Sequence, residues 1–340
     1  MNSFPLVSII IPCYNEDEYI ASCLDSILGG DYPLEHLEVL VVDGQSLDST
    51  RRIIEEYSSR YPFVRLVDNP NRLKPHALNI GIATARGDII IRMDAHALYE
   101  KSYVSKSICY LDEYKADNVG GIRRTLSGNN SIVAQSIAES VSNRFSAGNA
   151  IYRTGAKDVK WVDTVFGGCY RRETFQEIGL FNEALVRGQD REFNVRLQNA
   201  GGKILFAPDI ICYYYARGDL GSYIPWIYSA GLTPFFVSRL IKKRIYSWRN
   251  LVPLLFLFSL AVLPLFSLLY STLYWLFMVE ITTYLVCSLM ATILVGKKRK
   301  EVRLLLTMPF IFFLTHIIYG FGSFIGLLKP AKDPGEWTRV

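Results

Sequence analysis

An acid and a histidine two residues apart, Asp94 and His96, follow the apolar run Ile89-Ile90-Ile91. On an extended segment, residues i and i+2 point to one face. A carboxylate oxygen and an imidazole nitrogen would then converge on a single divalent cation at the strand's mouth. Taken alone, the pair also reads as a buried strand ending in ordinary polar loop residues. The other strand ends weigh against that reading. Asn15 and Glu16 follow one apolar run, Asp43 and Asp48 another, and Lys74 opens a third polar junction. Carboxylates and amides suit a base and a ribose. A cation held by Asp94 and His96 would neutralise a diphosphate, and Lys74 adds a second positive charge. The chemistry indicated is capture of a nucleotide diphosphate through a metal. No GxGxxG follows the first apolar run and no GxxxxGK[ST] occurs, which disfavours dinucleotide and P-loop cradles.

The elements that must position these groups are legible in order. Residues 6–11 form a β-branched apolar run stopped by Pro12, the pattern of a buried parallel strand. An amphipathic helix follows to Gly29-Gly30. A strand is expected at 37–42, then a helix at 50–57 capped by Asp48 or Ser49. Another strand at 63–67, a helix at 76–85 and the strand leading to Asp94 complete the alternation. This is an open parallel α/β sheet, which binds ligands beyond the carboxyl ends of its strands. Further on, a strand at 119–122 and a helix at 131–143 are expected. Residues 145–160 make an unpatterned loop that either closes over substrate or connects elements. Gly167 and Gly168 suggest close backbone approach. Arg171 and Arg172 either meet phosphate or cap the helix at Glu173. Asp190 lies in the first turn of a helix opening at Gly188-Gln189, where an acid also suits the helix dipole.

The 340 residues carry a net charge of +5 and six cysteines without a CxxC pair. That charge is too weak to argue for nucleic acid, and the cysteines argue against a disulfide frame or a zinc site. The opening residues lead into a strand-like run without a leader pattern. Mean hydropathy is +0.17, and the apolar excess sits in residues 251–328. Residues 221–250, aromatic with Arg239, Lys242, Lys243, Arg244 and Arg249, are expected at the headgroup level. Three transmembrane spans are expected at 251–270, 273–295 and 304–328, with a re-entrant hairpin over 251–295 as the alternative. Basic residues before the first span and after the second put the N-terminal domain on the cytoplasmic side of the inner (plasma) membrane and the tail, 329–340, outside. Glu280 and His316, inside spans, either pair with each other or line a packed interface.

Four runs, VSIIIPCYNE (7–16), VLVVDGQSLDST (39–50), ALNIGIATARGDIIIRMDAH (77–96) and GQDREFNVRLQNAGGKI (188–204), resemble family 2 glycosyltransferases, inverting enzymes of the GT-A fold. The DAHA form and apolar tail are most similar to the membrane-attached transferases of exopolysaccharide (succinoglycan) assembly. The resemblance covers about residues 5–220 and implies a Rossmann-like, mostly parallel GT-A catalytic domain over 1–220. It also implies nucleotide contacts from Pro12, Tyr14, Asn15, Glu16, Asp43, Lys74, Asn79 and Asp94. Asp94 matches the first acid of the family's DxD metal motif. His96 departs from the third position but still ligates Mn²⁺ or Mg²⁺, with a slight preference for Mn²⁺. Asp190 falls where the family's ED motif places the general base, with Gln189 in place of the first acid. Gly167, Gly168, Arg171, Arg172 and Gln189 are expected on the acceptor or phosphate side. No QxxRW occurs, which favours one sugar per encounter. The implied substrates are a nucleotide-diphosphate sugar, a UDP-sugar by default, and a lipid-linked, polyprenyl-type acceptor. Two other readings stand beside this one: a polyprenyl-phosphate monosaccharide synthase, and a non-catalytic membrane scaffold or transporter with a degenerate nucleotide domain.

Overall fold

The computed structural model describes residues 4–148, 150–185 and 187–329. The expected alternation forms as β1 (Val7–Cys13), α1 (Ile20–Leu28), β2 (Leu37–Asp43), α2 (Thr50–Arg60), β3 (Val64–Asp68), α3 (Lys74–Thr84) and β4 (Ile89–Arg92). β3, β2, β1 and β4 lie side by side and parallel. Helices cover both faces, which is why these strands read as continuous apolar runs. Alternate side chains enter opposite cores. Ile9, Ile11, Val39, Val41 and Ile91 pack toward α1 and α2, and Ile10, Leu40, Val42 and Ile90 toward α3.

The chain continues with β5 (Ala97–Tyr99), α4 (Tyr103–Glu113), β6 (Asn118–Leu126), α5 (Ile132–Ser142), α6 (Arg144–Ala147), α7 (Ile151–Thr154), β7 (Lys160–Trp161), β8 (Cys169–Arg171), α8 (Arg172–Ile178), α9 (Gln189–Asn199) and β9 (Ile204–Tyr215). The sheet order is β3-β2-β1-β4-β8-β6-β9-β5, with β7 paired to β9. β8 runs antiparallel to β4 and β6, and β9 antiparallel to β5 and β7, so the sheet is mixed beyond β4. β5 does not pair with β4. It joins β9 at the far edge, so the chain leaves the ladder after Arg92 and crosses the sheet's end before Ala97. Asp94 and His96 lie in this irregular crossing. No ladder holds residues 93–96, so the pair does not stand on an extended strand as expected.

The chain divides into two compact units. One is Met1–Arg124 with Gly155–Tyr214; the other is Thr125–Thr154 with Tyr215–Val340. Residues 125–154 thus group with the C-terminal helices and not with the continuous 1–220 domain expected. The reason is apolar: Ile137 and Val141 of α5 pack with Tyr223, Ile227 and Ile311.

In the second unit, α10 (Leu220–Leu240) is followed by α11 (Trp248–Ser267), α12 (Ser271–Arg299) and α13 (Leu304–Leu328). The last three are long and apolar enough to cross a membrane, with mean hydropathies of 2.0, 1.9 and 1.9. α10 packs lengthwise on α13 through small residues. A Cβ at Gly231 would strike the Tyr319 carbonyl, and one at Gly322 the Tyr228 carbonyl, the close backbone approach that membrane helices use in place of a hydrophobic driving force. Glu280 and His316 do not pair with each other. The Ser259 hydroxyl donates to Glu280 at 2.5 Å, and His316 donates through Nε2 to the Phe145 carbonyl at 3.1 Å while Nδ1 accepts from the Tyr284 hydroxyl at 2.9 Å. Both polar groups line packed helix interfaces. Apart from Lys329, the tail expected beyond the third span lies outside the described residues.

Candidate active site

Arg92 closes β4, beside Ile10 in the parallel ladder. Its side chain is 6% exposed, and its guanidinium divides between two acids. Nη2 donates to Asp94 Oδ1 at 3.0 Å, and Nη1 to Asp190 Oδ2 at 2.5 Å. Lys74 Nζ, at the start of α3, reaches the same Asp94 oxygen at 2.7 Å. One planar guanidinium bonding both carboxylates keeps these oxygens within roughly 8 Å of each other. Burial alone would raise the Asp94 pKa. Lys74, then Arg92 and His96, outweigh it and hold the carboxyl well below the usual carboxylate range. Burial likewise opposes the Arg92 charge, and Asp190 and Asp94 more than restore it.

Asp190 is delivered by α9, whose N-cap Gly188 adopts the left-handed φ of +83°. The helix is anchored from beneath by Phe193 and Leu197 and by a buried amide chain. Asn118 Nδ2 donates to Asn194 Oδ1 at 3.1 Å, and Asn194 Nδ2 to the Thr164 hydroxyl at 3.0 Å. Gly167 and Gly168 wrap the end of β4: the Arg92 amide donates to the Gly168 carbonyl at 3.0 Å. A Cβ on Gly167 (φ +73°) would press on the Arg92 carbonyl.

His96 bonds to different partners from Asp94. Its Nδ1 donates to Glu16 Oε1 at 2.7 Å, and Nε2 meets the Tyr214 hydroxyl at 3.0 Å. Tyr214 stands opposite Ala97 in the β5–β9 ladder, and the Arg123 guanidinium lies 4.4 Å from its ring centroid. Burial disfavours the imidazolium, but Tyr214 and Glu16 outweigh that and push the His96 pKa up to about 9. A raised pKa means the native state holds its proton more tightly than the unfolded chain. This stabilisation is complete below the ordinary value of 6.5 and lost as pH rises through about 9. With metal chelated, we expect stability to fall by about 1–3 kcal/mol across that window. A thermal-melt series on wild type and His96→Gln checks this. The variant should show the flatter profile, and parallel profiles would refute the assignment.

A family model described as "Glycosyl transferase family 2" matches residues 8–179, which include Lys74, Arg92, Asp94 and His96 and end before Asp190 and Tyr214. The chain belongs to that family. Along 95% of its length it is 32% identical to a dolichyl N-acetyl-alpha-D-glucosaminyl phosphate 3-beta-D-2,3-diacetamido-2,3-dideoxy-beta-D-glucuronosyltransferase of Methanococcus voltae, matching 97% of that relative. Over 62% of the chain and 64% of the relative it is 29% identical to the succinoglycan biosynthesis protein ExoA of Rhizobium meliloti. Among solved structures, a mannosyltransferase from Pyrobaculum calidifontis in complex with GDP-Man and Mn²⁺ is similar in fold, with a TM-score of 0.60 at 22% identity. That likeness covers 96% of this chain and 88% of the other. The first unit is a GT-A fold, and the chain is a glycosyltransferase.

Several residues singled out in this family 2 transferase are brought together. The loops after β1 and β2 are laced: the Asn15 amide N–H donates to the Ser46 hydroxyl at 2.9 Å, and Asn15 Oδ1 accepts from Leu47 N–H at 2.8 Å. Buried Asp43 accepts from the Ser46 hydroxyl at 2.5 Å and lies 3.5 Å from Arg51. Pro12 pairs with Val42 within the parallel ladder, and Tyr14 is exposed. Gln189 is buried at the start of α9 beside Asp190. Three residues are placed elsewhere. Asn79 clasps the chain after α8, exchanging hydrogen bonds with the Phe181 backbone at 2.9 and 3.0 Å. Arg171 pairs with Asp112 at 2.5 Å, and Arg172 donates to the carbonyls of Ala85 and Gly87. Arg171 sits opposite Ile89, at the amino end of β4, whereas Asp94 lies past its carboxyl end.

The sequence reading gave no role to Arg92, Arg123 or Tyr214. One signal was present for Arg92: a charge inside an apolar strand must find a buried partner. Nothing local marked Tyr214, whose neighbour His96 comes from the crossing before β5.

The family's metal is tested by the donors that could hold it. Asp94 offers a hard oxygen, and His96 has the Nδ1-to-carboxylate bond that orients metal-binding histidines. Among the described residues no group of three or more His, Cys, Asp or Glu could hold a metal ion. Two protein ligands, the rest being diphosphate oxygens and water, suit Mg²⁺ or Mn²⁺ at a nucleotide site. The donor set fits.

Proposed function

We propose that this transferase moves one sugar from a nucleotide-diphosphate sugar, by default a UDP-sugar, to a hydroxyl of a lipid-linked acceptor, inverting the anomeric centre. The observation that carries the reading is the pair of carboxylates, Asp94 beyond β4 and Asp190 in the first turn of α9, bonded by one guanidinium. In this reading Asp190 accepts the acceptor's hydroxyl proton as its oxygen forms the new bond to the anomeric carbon. The bond from that carbon to the diphosphate oxygen breaks, and its electron pair leaves with the nucleoside diphosphate. A single displacement of this kind needs one base and no covalent sugar–enzyme species. A divalent ion held by Asp94 and His96 would supply charge neutralisation for the departing diphosphate. Lys74 adds a cation on the same side, and the laced loops carrying Asn15, Glu16 and Asp43 receive base and ribose.

A lipid-linked acceptor is supported by the three apolar helices and by similarity, along 95% of the chain, to a relative named for a dolichyl phosphate-linked sugar. Basic residues flanking α11 and ending α12 favour an inner-membrane protein with its catalytic unit facing the cytoplasm. The alternative acceptor, a bare polyprenyl phosphate gripped by Arg171, Arg172 and the juxtamembrane lysines, is disfavoured to the extent that both guanidiniums are already bonded.

A thermal-shift panel of UDP-, GDP- and dTDP-sugars, with and without Mn²⁺, tests the reading on the full chain in detergent. Ligand at about 100 times its Kd stabilises by about 2.7 kcal/mol, so the donor should stand out, with a larger shift when Mn²⁺ is present. Nucleoside diphosphate release in the presence of a polar lipid extract then reports transfer. No shift from any sugar nucleotide, with or without metal, would favour the non-catalytic scaffold.

A further inference from the structure

We infer that Arg92 is the positioning residue of this active site, holding the Asp190 carboxylate in register with the Asp94 side of the pocket. The inference rests on the reading of Asp190 as base. Asp190 Oδ1 is buried without a partner among the described residues, so the carboxylate's orientation depends on its Oδ2 side, where Arg92 bonds at 2.5 Å. An acid at the start of a helix otherwise keeps the freedom of its own rotamers. Here it is tied to a strand end.

Arg92 itself is set from three directions. Its carbonyl lies so close to Gly167 that a Cβ there would meet it, its amide is bonded to Gly168, and the next residue's amide, that of Met93, donates to the Ile10 carbonyl at 3.0 Å. The guanidinium therefore inherits the rigidity of the sheet. It passes that rigidity to a helix whose own attachment to the sheet is through other side chains. Simple neutralisation does not account for the arrangement. Asp94 already has Lys74, and one buried Asp–Arg pair would satisfy Arg92's charge at lower desolvation cost than two. What the second pair adds is a defined distance between the acid of the donor side and the acid of the acceptor side. A planar fork can bond two carboxylates at once; the point charge of a lysine cannot hold both in fixed geometry.

The test compares Arg92→Lys, Arg92→Ala and Asp190→Asn in the full chain. The readouts are steady-state nucleoside diphosphate release with the donor from the panel, and UDP or GDP binding with Mn²⁺ by calorimetry. A displacement of about 1 Å can cost about 10²-fold in rate. Arg92→Lys is therefore expected to lose about 10²-fold in kcat, with donor KM and nucleotide Kd held within about threefold. In Arg92→Ala, guanidinium at sub-denaturing concentration should restore part of kcat, and it should restore none in Asp190→Asn. Wild-type kcat in Arg92→Lys would overturn the inference, and so would a parallel loss of nucleotide affinity, which would make Arg92 a donor ligand. An active Asp190→Asn would instead remove the base on which the inference stands. Arg92→Lys keeps the buried charge, so the comparison survives a misfolded Arg92→Ala.

Discussion

Asp190→Asn is expected to slow transfer by orders of magnitude while leaving the donor site intact. The substitution keeps the shape of the side chain and removes only its capacity to accept a proton, and positioned general bases contribute about 10²–10⁴ in rate. Loss in kcat should fall in that range. The amide oxygen still accepts from Arg92, so the local hydrogen bond persists and folding should be little affected. Nucleotide binding with Mn²⁺ should stay within about threefold of wild type, because the residues expected to receive the nucleotide lie on β1, β2 and α3 and in the crossing after β4. Calorimetry alongside turnover checks both halves. Turnover at the wild-type level would take the base assignment away from Asp190. Loss of nucleotide affinity would move the residue to the donor side.

The second large effect is expected at Asp94. Its side chain is 8% exposed and accepts from two cations, Lys74 and Arg92, at 2.7 and 3.0 Å. Asp94→Ala leaves buried positive charge without its partner, a change that costs about 3–5 kcal/mol. In a unit of this size that corresponds to a fall of about 10 °C in Tm. It also removes the hard oxygen to which a divalent ion would bind, so the extra thermal shift given by Mn²⁺ in the presence of nucleotide should vanish. The double variant Asp94→Ala/Lys74→Met distinguishes the two losses. Removing the stranded lysine should recover part of the Tm but none of the metal-dependent shift. Recovery of both would mean that Asp94 serves only to neutralise Lys74. The lowered pKa of Asp94 has its own signature: its contribution is present above the ordinary carboxylate range and fades as pH falls toward the depressed value. His96 fades in the opposite direction, so the two together favour neutral to mildly acidic pH.

Much of this protein was determined by sequence alone. Uninterrupted β-branched runs at Ile9–Ile11 and Val39–Val42 demand burial on both faces, so strands flanked by helices, and hence a parallel sheet with polar loops at its carboxyl ends, follow from local pattern. The same holds for the three apolar helices, since about twenty predominantly apolar residues have few other resting places. The strand end singled out Asp94, and the resemblance to family 2 singled out Asp190. What the tertiary structure decided is who meets whom. The path after Arg92 depends on β5 pairing with β9 and not with β4, a long-range register that turns His96 away from Asp94's partners and toward Glu16 and Tyr214. The grouping of residues 125–154 with the C-terminal helices depends on which apolar face finds a match, and Ile137 and Val141 find theirs on Tyr223, Ile227 and Ile311. Arg171 and Arg172 looked available for phosphate until the antiparallel pairing of β8 carried them to the other end of β4. Periodicity and spacing report which face of an element is buried, because burial is a one-body property of each residue. Ion pairs and hydrogen bonds are two-body properties, and the partner of Arg92 lies on a helix that no local rule places beside it.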